Sequence, residues 1–487
     1  MVAPGFVDIH NHSDFNILLN PKAENLVYQG VTLIVFPNCG SGVAPLNEEM
    51  KERLRQRRPP FEIDWSTFDE YLQRLEKIGS SVNVAPLIGF GTIRRYVMGY
   101  EMRDPTSMEL DLMRGEVEKA MKAGAFGLTT GLRYVPQSYA KTEEIIELAK
   151  VAAKYGGFYT THQRDEGDRG DPVGSVKEVI EIGEKAGLPV NISHFKILAK
   201  PFWDKCEEIL EIIEEARARG VDITADQYPY RASGTGPGAW IPKWASEGGN
   251  EKLLERLRDP ELGRKIKEGL IKVMDLRGGP EAVLIVSYPP NSAYVGKTLV
   301  EIAGELREEP GEVLFNLFKE YIEKLVAGEI RGGFSVVNFN MSQENVEAIM
   351  KKPWVMVSTD GSIQIPRPGR ISSVHPRNYG TYPRVLGRYV REKKLLTLEE
   401  AIRKMTSLET QRLGIFDRGL IMEGFWADIT IFDPEKVIDR AEYLPQEESE
   451  RYPEGIHYVI VNGVLTVEEG KHTGALAGKV LRKRWQG

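Results

Sequence analysis

The chain has 487 residues, of which 41% are hydrophobic and 28% charged, with a formal net charge of −7. Nothing in that balance resembles the basic footprint of a nucleic-acid binder, and no run of about 18 apolar residues offers a membrane span. Two cysteines, Cys39 and Cys206, exclude a disulfide framework and suit a reducing compartment. The first residues lack a basic stretch followed by a long apolar one, so no signal peptide is expected and the protein is read as cytoplasmic. The charge runs at 51–58 and 447–450 are read as solvated faces.

In chain order, short β-rich runs alternate with helical patterns. They fall at residues 5–9 (GFVDI), 31–36 (VTLIVF), 82–88 (VNVAPLI), 125–130 (AFGLTT), 157–161 (GFYTT), 189–193 (PVNIS), 221–225 (VDITA) and 354–358 (WVMVS). Amphipathic helical patterns lie between most of them, for example at 143–155, 173–186 and 202–219. Such alternation predicts a parallel sheet with helices on its outside, and near-continuous apolar strands predict burial on both faces. The expected fold is α/β, a (β/α)8 TIM-like barrel over residues 1–415.

The gap between the seventh and eighth strands is long. Residues 234–350 read as an insertion on the loop face, a lid with two or three charged helices and a Gly332-Gly333 break. A turn-rich loop is expected at 365–382, then helices to about 413. Residues 416–487 differ in character. There, 427–432 (ADITIF) and 458–465 (YVIVNGVL, with an Asn-Gly turn) predict a small β domain. Little precedes the first barrel strand, so this domain is expected either to pack on the barrel or to lack a partner.

Chemistry concentrates at one end of these strands. His10 and His12 are two apart, so an extended chain sends both to the same side. His162 follows GFYTT, His194 follows PVNIS, and Asp360 follows the eighth strand. Alone, each is a weak signal. Together they place four histidines and a carboxylate at the strand ends where barrel active sites form. Imidazole and carboxylate are ligands of catalytic Zn²⁺, which lowers the pKa of water toward about 7. Asp360 would then move the proton. Cys39, just past the second strand, would be a thiolate beside the metal and able to bridge two ions. Cys206, inside a helical stretch, reads as structural.

The motifs APGFVDIHNHSD, GVTLIVFPNCG, TTGLRYVP, THQRDEGD, ISHFK, ADQYPYRASGT, STDG, HPRNYGTYPRVLGRYVRE and MTSLETQRLGI resemble the amidohydrolase superfamily, and within it the N-acyl-D-amino-acid deacylases. The tail GFWADITIFDP also fits. The resemblance implies hydrolysis of a small-molecule N-acyl-D-amino acid to a carboxylate and a free D-amino acid. It implies a tight zinc site of Cys39, His162 and His194, with His10 and His12 completing a second, weaker one. Asp360 would be the general acid/base, and Lys196, Tyr228 and Arg377 would grip the substrate's α-carboxylate. His375 would orient its loop, while His457 and His472 would be structural or exposed. Two departures stand out. Phe90 occupies a stretch where relatives often carry histidine, and the family's usual N-terminal β-structure is missing, so the small β domain is expected to lack half its strands. A cyclic-amide hydrolase of the same superfamily is the runner-up; it would need a lysine after the fourth strand, and 125–136 has none. A non-catalytic scaffold is the third reading, which lost ligands would mark.

Overall fold

The computed structural model describes residues 1–365, 374–443 and 449–484. Parts of the expected loop at 365–382 and of the charge run at 447–450 lie outside them.

Eight parallel segments appear in the expected order. The first is Phe6–Asp8 and the second Val31–Phe36. The third is in two pieces, Asn83–Pro86 and Ile88–Gly89. Then come Gly127–Gly131, Phe158–His162, Val190–Ile192, Ile223–Gln227 and Val355–Val357. Segments one to three form one parallel sheet; the second piece of the third joins segments four to eight in another. The two sheets meet along both seams. Leu87 and Phe126 donate backbone hydrogen bonds to Phe36 and Pro86. On the other side Asn11 bridges Gly361, and His12 N–H donates to the Gly361 carbonyl at 2.8 Å. This cyclic order is consistent with a closed barrel. The segments are buried throughout, as their apolar runs predict.

Several helices start at a capping side chain. Asp171 accepts from Gly174 N–H and Pro172 takes the first turn, so that helix is Pro172–Ala186. The 202–219 pattern resolves into a 3-10 turn, Lys200–Lys205, and an α-helix, Cys206–Ala218. The turn-rich stretch at 365–382 differs from expectation: Arg377–Arg384 is α-helical and continues as a π-helix, Val385–Glu392.

Residues 234–350 hold more structure than a lid of two or three helices. Four helices, Asn250–Arg258, Pro260–Leu276, Leu299–Leu306 and Pro310–Val326, cover a three-stranded antiparallel sheet of Ser233–Thr235, Ser335–Asn338 and Val283–Ser287. They enclose their own core around Trp240, Leu270, Ile285 and Leu314. Gln343–Met350 then returns to pack beside the last parallel strand.

The tail forms a single antiparallel sheet, and the N-terminal residues take part in it. Val2–Pro4 pairs with Ile429–Phe432 and that strand with Ile456–Val461; Val464–Glu468 and Lys471–His472 follow, each paired with the strand before it. The Asn462-Gly463 turn has positive φ at both residues, 51° and 82°, as a two-residue hairpin requires. The sheet also leans on the parallel strands: Asp428 accepts from Asn83 at 3.2 Å, and Leu481 N–H donates to Val84.

Candidate metal centre

The chain turns sharply just beyond the strands that carry the site. Cys39, His194 and Asp360 sit at φ of 51°, 37° and 45°, a conformation that costs a non-glycine residue about 1–3 kcal/mol. Around Cys39 the fit is close. A Cβ on Gly131 would stand 2.3 Å from the Cys39 carbonyl, and Gln137 Nε2 donates to that carbonyl at 2.9 Å.

All six residues expected at the centre converge. Cys39 Sγ lies 3.6 Å from His10 Nε2, 3.9 Å from His12 Nε2, 3.7 Å from His162 Nδ1 and 3.4 Å from His194 Nε2. Asp360 Oδ1 is 3.1 Å from His12 Nε2 and 3.6 Å from His10 Nε2. Three donor sets have atoms all within 4.8 Å of one another among the described residues: His10 with Cys39 and His194, His10 with His12 and Asp360, and His162 with Glu166 and His194. Around the thiol the set is His10, Cys39 and His194, and His162 Nδ1 stands at nearly the same distance from the sulfur as His10 Nε2. Sulfur, imidazole and carboxylate donors at such separations fit a divalent metal site.

The field favours the ligating forms of Cys39 and Asp360, and raises His10, His12 and His194 above the usual imidazole range. Burial opposes a charged Cys39, but His194 and His10 outweigh it and hold the thiol well below its usual range. Burial likewise opposes ionised Asp360; Arg377 and His194 outweigh it, so the carboxyl stays well below the ordinary carboxylate range. His12 would be lowered by burial, yet hydrogen bonds to Asp360 and Cys39 bring it to about 9. Such a proton leaves when a cation arrives.

Two carboxylates behind the histidines were not singled out from the sequence. Glu166 Oε1 lies 3.2 Å from His194 Nδ1, and its Oε2 lies 3.4 Å from His162 Nε2. Asp226 Oδ1 lies 3.5 Å from His10 Nδ1 and accepts from His194 N–H at 2.9 Å. At His10 and His162 a carboxylate at the far ring nitrogen favours the tautomer that leaves the near one free to ligate, whereas at His194 Nδ1 the Lys196 ammonium stands closer, at 2.8 Å. Both residues stood inside THQRDEGD and ADQYPY; Glu166's spacing of four from His162 was the available signal.

The expected carboxylate-binding residues line the same cavity of about 340 Å³. Arg377 Nη1 is 2.7 Å from Asp360 Oδ2, and its guanidinium lies 4.7 Å above the Tyr228 ring. Its buried Nε has no hydrogen-bond partner. Lys196 differs from expectation in being engaged already: Nζ is 2.6 Å from Glu166 Oε1 and donates to the His194 carbonyl at 3.0 Å. His375 joins the Ala232 carbonyl at 2.8 Å and accepts from Arg377 N–H at 3.1 Å, which fixes the start of the Arg377 helix. His472 packs on Ser81 at 3.0 Å, and His457 is exposed.

The insertion is tied to this cavity by a buried ion triad. Asp168 holds Arg133 at 2.6 Å and Arg277, at the end of the insertion's second helix, at 2.5 Å. Asp168→Asn would leave two buried guanidinium groups without a counter-charge, and is expected to cost about 3–5 kcal/mol of stability. The two arginines, outweighing burial, hold Asp168 below its usual 3.8. Its contribution is therefore complete above that value and is lost as pH falls through the lower folded-state pKa. A urea midpoint unchanged in the variant at pH 7 would dismiss the triad as a clamp.

Comparison with known proteins agrees with this geometry. Residues 306–467 match a family model described as the amidohydrolase family. A D-aminoacylase of Alcaligenes xylosoxydans xylosoxydans is 34% identical over 492 residues, covering 99% of this chain and 87% of the relative. A D-aminoacylase structure from a study of its binuclear metal centre superposes with a TM-score of 0.79 at 30% identity, covering 99% of this chain and 89% of that one. The N-acyl-D-glutamate deacylase of Bordetella bronchiseptica, complexed with zinc and a phosphonate inhibitor, gives 0.77 at 29% identity with the same coverage. With this fold and donor set, the protein is a metal-dependent amidohydrolase. Within that class, the chain belongs to the D-aminoacylase (N-acyl-D-amino-acid deacylase) family.

Proposed function

We propose that the protein hydrolyses the amide bond of N-acyl-D-amino acids, releasing a carboxylate and a free D-amino acid, with zinc as its metal. The observation that carries this reading is the convergence of Cys39, four histidines and Asp360 in one cavity that also holds Arg377. In this reading residues 1–415 are a (β/α)8 barrel with the 234–350 insertion over its mouth, and 416–487 form the small β domain. The two free, buried cysteines support a reducing, cytoplasmic setting.

Cys39, His162, His194, His10 and His12 would hold the metal, which supplies Lewis acidity toward the scissile carbonyl and toward water. Asp360 takes the proton of the water as its oxygen adds to the scissile carbonyl carbon, and gives it to the amine nitrogen as the C–N bond breaks. Arg377 positions the α-carboxylate through its unpartnered Nε, steadied by Tyr228 beneath it. Lys196, with its donors already engaged, adds charge at the same wall more than a free hydrogen bond. A cyclic-amide hydrolase is disfavoured by the strand Gly127–Gly131, which brings no lysine to the centre, where Cys39 stands instead.

The test is a zinc-loaded assay on paired N-acetyl-D- and N-acetyl-L-amino acids. The D series is expected to be cleaved with clear preference. Equal rates for both series, or cleavage of hydantoins alone, would overturn the reading.

A further inference from the structure

The cavity at the metal centre continues into a second of about 400 Å³, with Arg133, Tyr134, Thr235 and Ala239 lining both. Either is large enough for a small-molecule site. Their chemistry differs. The first carries carboxylates, including Glu166, Asp168 and Asp360; no Asp or Glu lines the second among the described residues.

Four cations line the second cavity; Arg53 is paired with Glu49 at 2.9 Å, which leaves three for a ligand. Arg133 is 7% exposed; it donates Nε to the Ala239 carbonyl and Nη1 to Asp168, while its buried Nη2 has no partner. Lys243 donates to the Ser138 carbonyl, and Arg169, at the rim, reaches only the Ala239 carbonyl. Neither is in an ion pair with a described carboxylate. Burial, with Arg164 and Arg169 nearby, brings Lys243 down to about 8, the direction an excess of positive charge produces. The lining also includes the aromatic side chains Phe318, Tyr321 and Phe334, contributed by the insertion.

We propose that this second cavity binds the distal end of an extended substrate, an anionic group carried on an apolar arm. This rests on the hydrolase reading above. The aromatic side chains would take the arm, and Arg133 Nη2, Lys243 and Arg169 the charge. Guanidinium and ammonium donors suit a carboxylate. The arm has two chemical sources, the acyl group or the amino-acid side chain, and matched pairs separate them.

For the acyl arm the pair is N-hexanoyl- and N-adipoyl-D-norleucine; for the side chain it is N-acetyl-D-norleucine and N-acetyl-D-2-aminoadipate. In one pair the anionic member is expected to have kcat/KM about tenfold or more above its neutral partner, the size of one charge-assisted hydrogen bond. Arg169→Gln with Lys243→Met should cut that ratio several-fold, with Arg133 left in place, and leave the neutral substrates within about twofold, since their arm makes no ionic contact there. Titration calorimetry with the same compounds on Asp360→Asn protein reads the preference in Kd without turnover. Should nothing be hydrolysed while the anionic ligand still binds preferentially, the activity reading fails and the subsite stands. No anion preference in either pair, in rate or Kd, or a preference undiminished in the double variant, overturns the subsite.

Discussion

Replacing Asp360 by asparagine is expected to lower kcat by roughly 10²–10⁴-fold, the usual worth of positioned acid–base catalysis, while the protein keeps its metal. Asp360 is the carboxylate that faces both His12 and Arg377, at 3.1 and 2.7 Å. The amide nitrogen of asparagine preserves its size but cannot accept the proton of water. Arg377 loses its counter-charge at the same time, so KM must be measured alongside kcat. A proton-transfer role shows as a fall in kcat; a purely structural role would appear as lost metal or a lower melting temperature. A near-normal rate at full metal content would remove Asp360 from the mechanism.

Cys39→Ala is the second large effect. Cys39 sulfur lies within 3.9 Å of a nitrogen on each of four histidines, so its loss opens the middle of the donor set. The variant is expected to retain well under one zinc per chain after dialysis and to lose turnover with it. Cys39→Ser should fall between, because a hydroxyl is a poorer ligand than a thiolate that His194 and His10 already stabilise against burial. Metal analysis and circular dichroism separate the two causes. A folded Cys39→Ala protein that keeps one zinc and its activity would show that the histidines and carboxylates alone hold the metal.

Much of the scaffold could be read along the chain. Runs such as VTLIVF and GFYTT are short, apolar and β-branched, and they became buried parallel strands within a residue or two of their expected limits. His10 and His12 were visible as a pair because period-two geometry puts them on one side. The Asn462-Gly463 turn was visible because few dipeptides accept positive φ twice. The π-helix after Arg384 was not, since nothing in local periodicity distinguishes it from an α-helix.

The sequence by itself determined the strand and helix alternation, the strand-end histidines, Cys39 and Asp360, because each depends on local propensity, patterning and the side chain's own chemistry. Tertiary structure alone decided what stands behind and beside them. Glu166 and Asp226 became supports for the histidines because adjacent strands set their carboxylates against the far ring nitrogens. Asp168 joined Arg133 to Arg277, the latter 109 residues further along the chain, and Lys196 turned inward to Glu166. Val2–Pro4 found its partner at Ile429–Phe432, so the N-terminal residues entered the tail's sheet. Such pairings are set by which elements the fold brings together, and no spacing along the chain encodes the distance between charges that meet only when it closes.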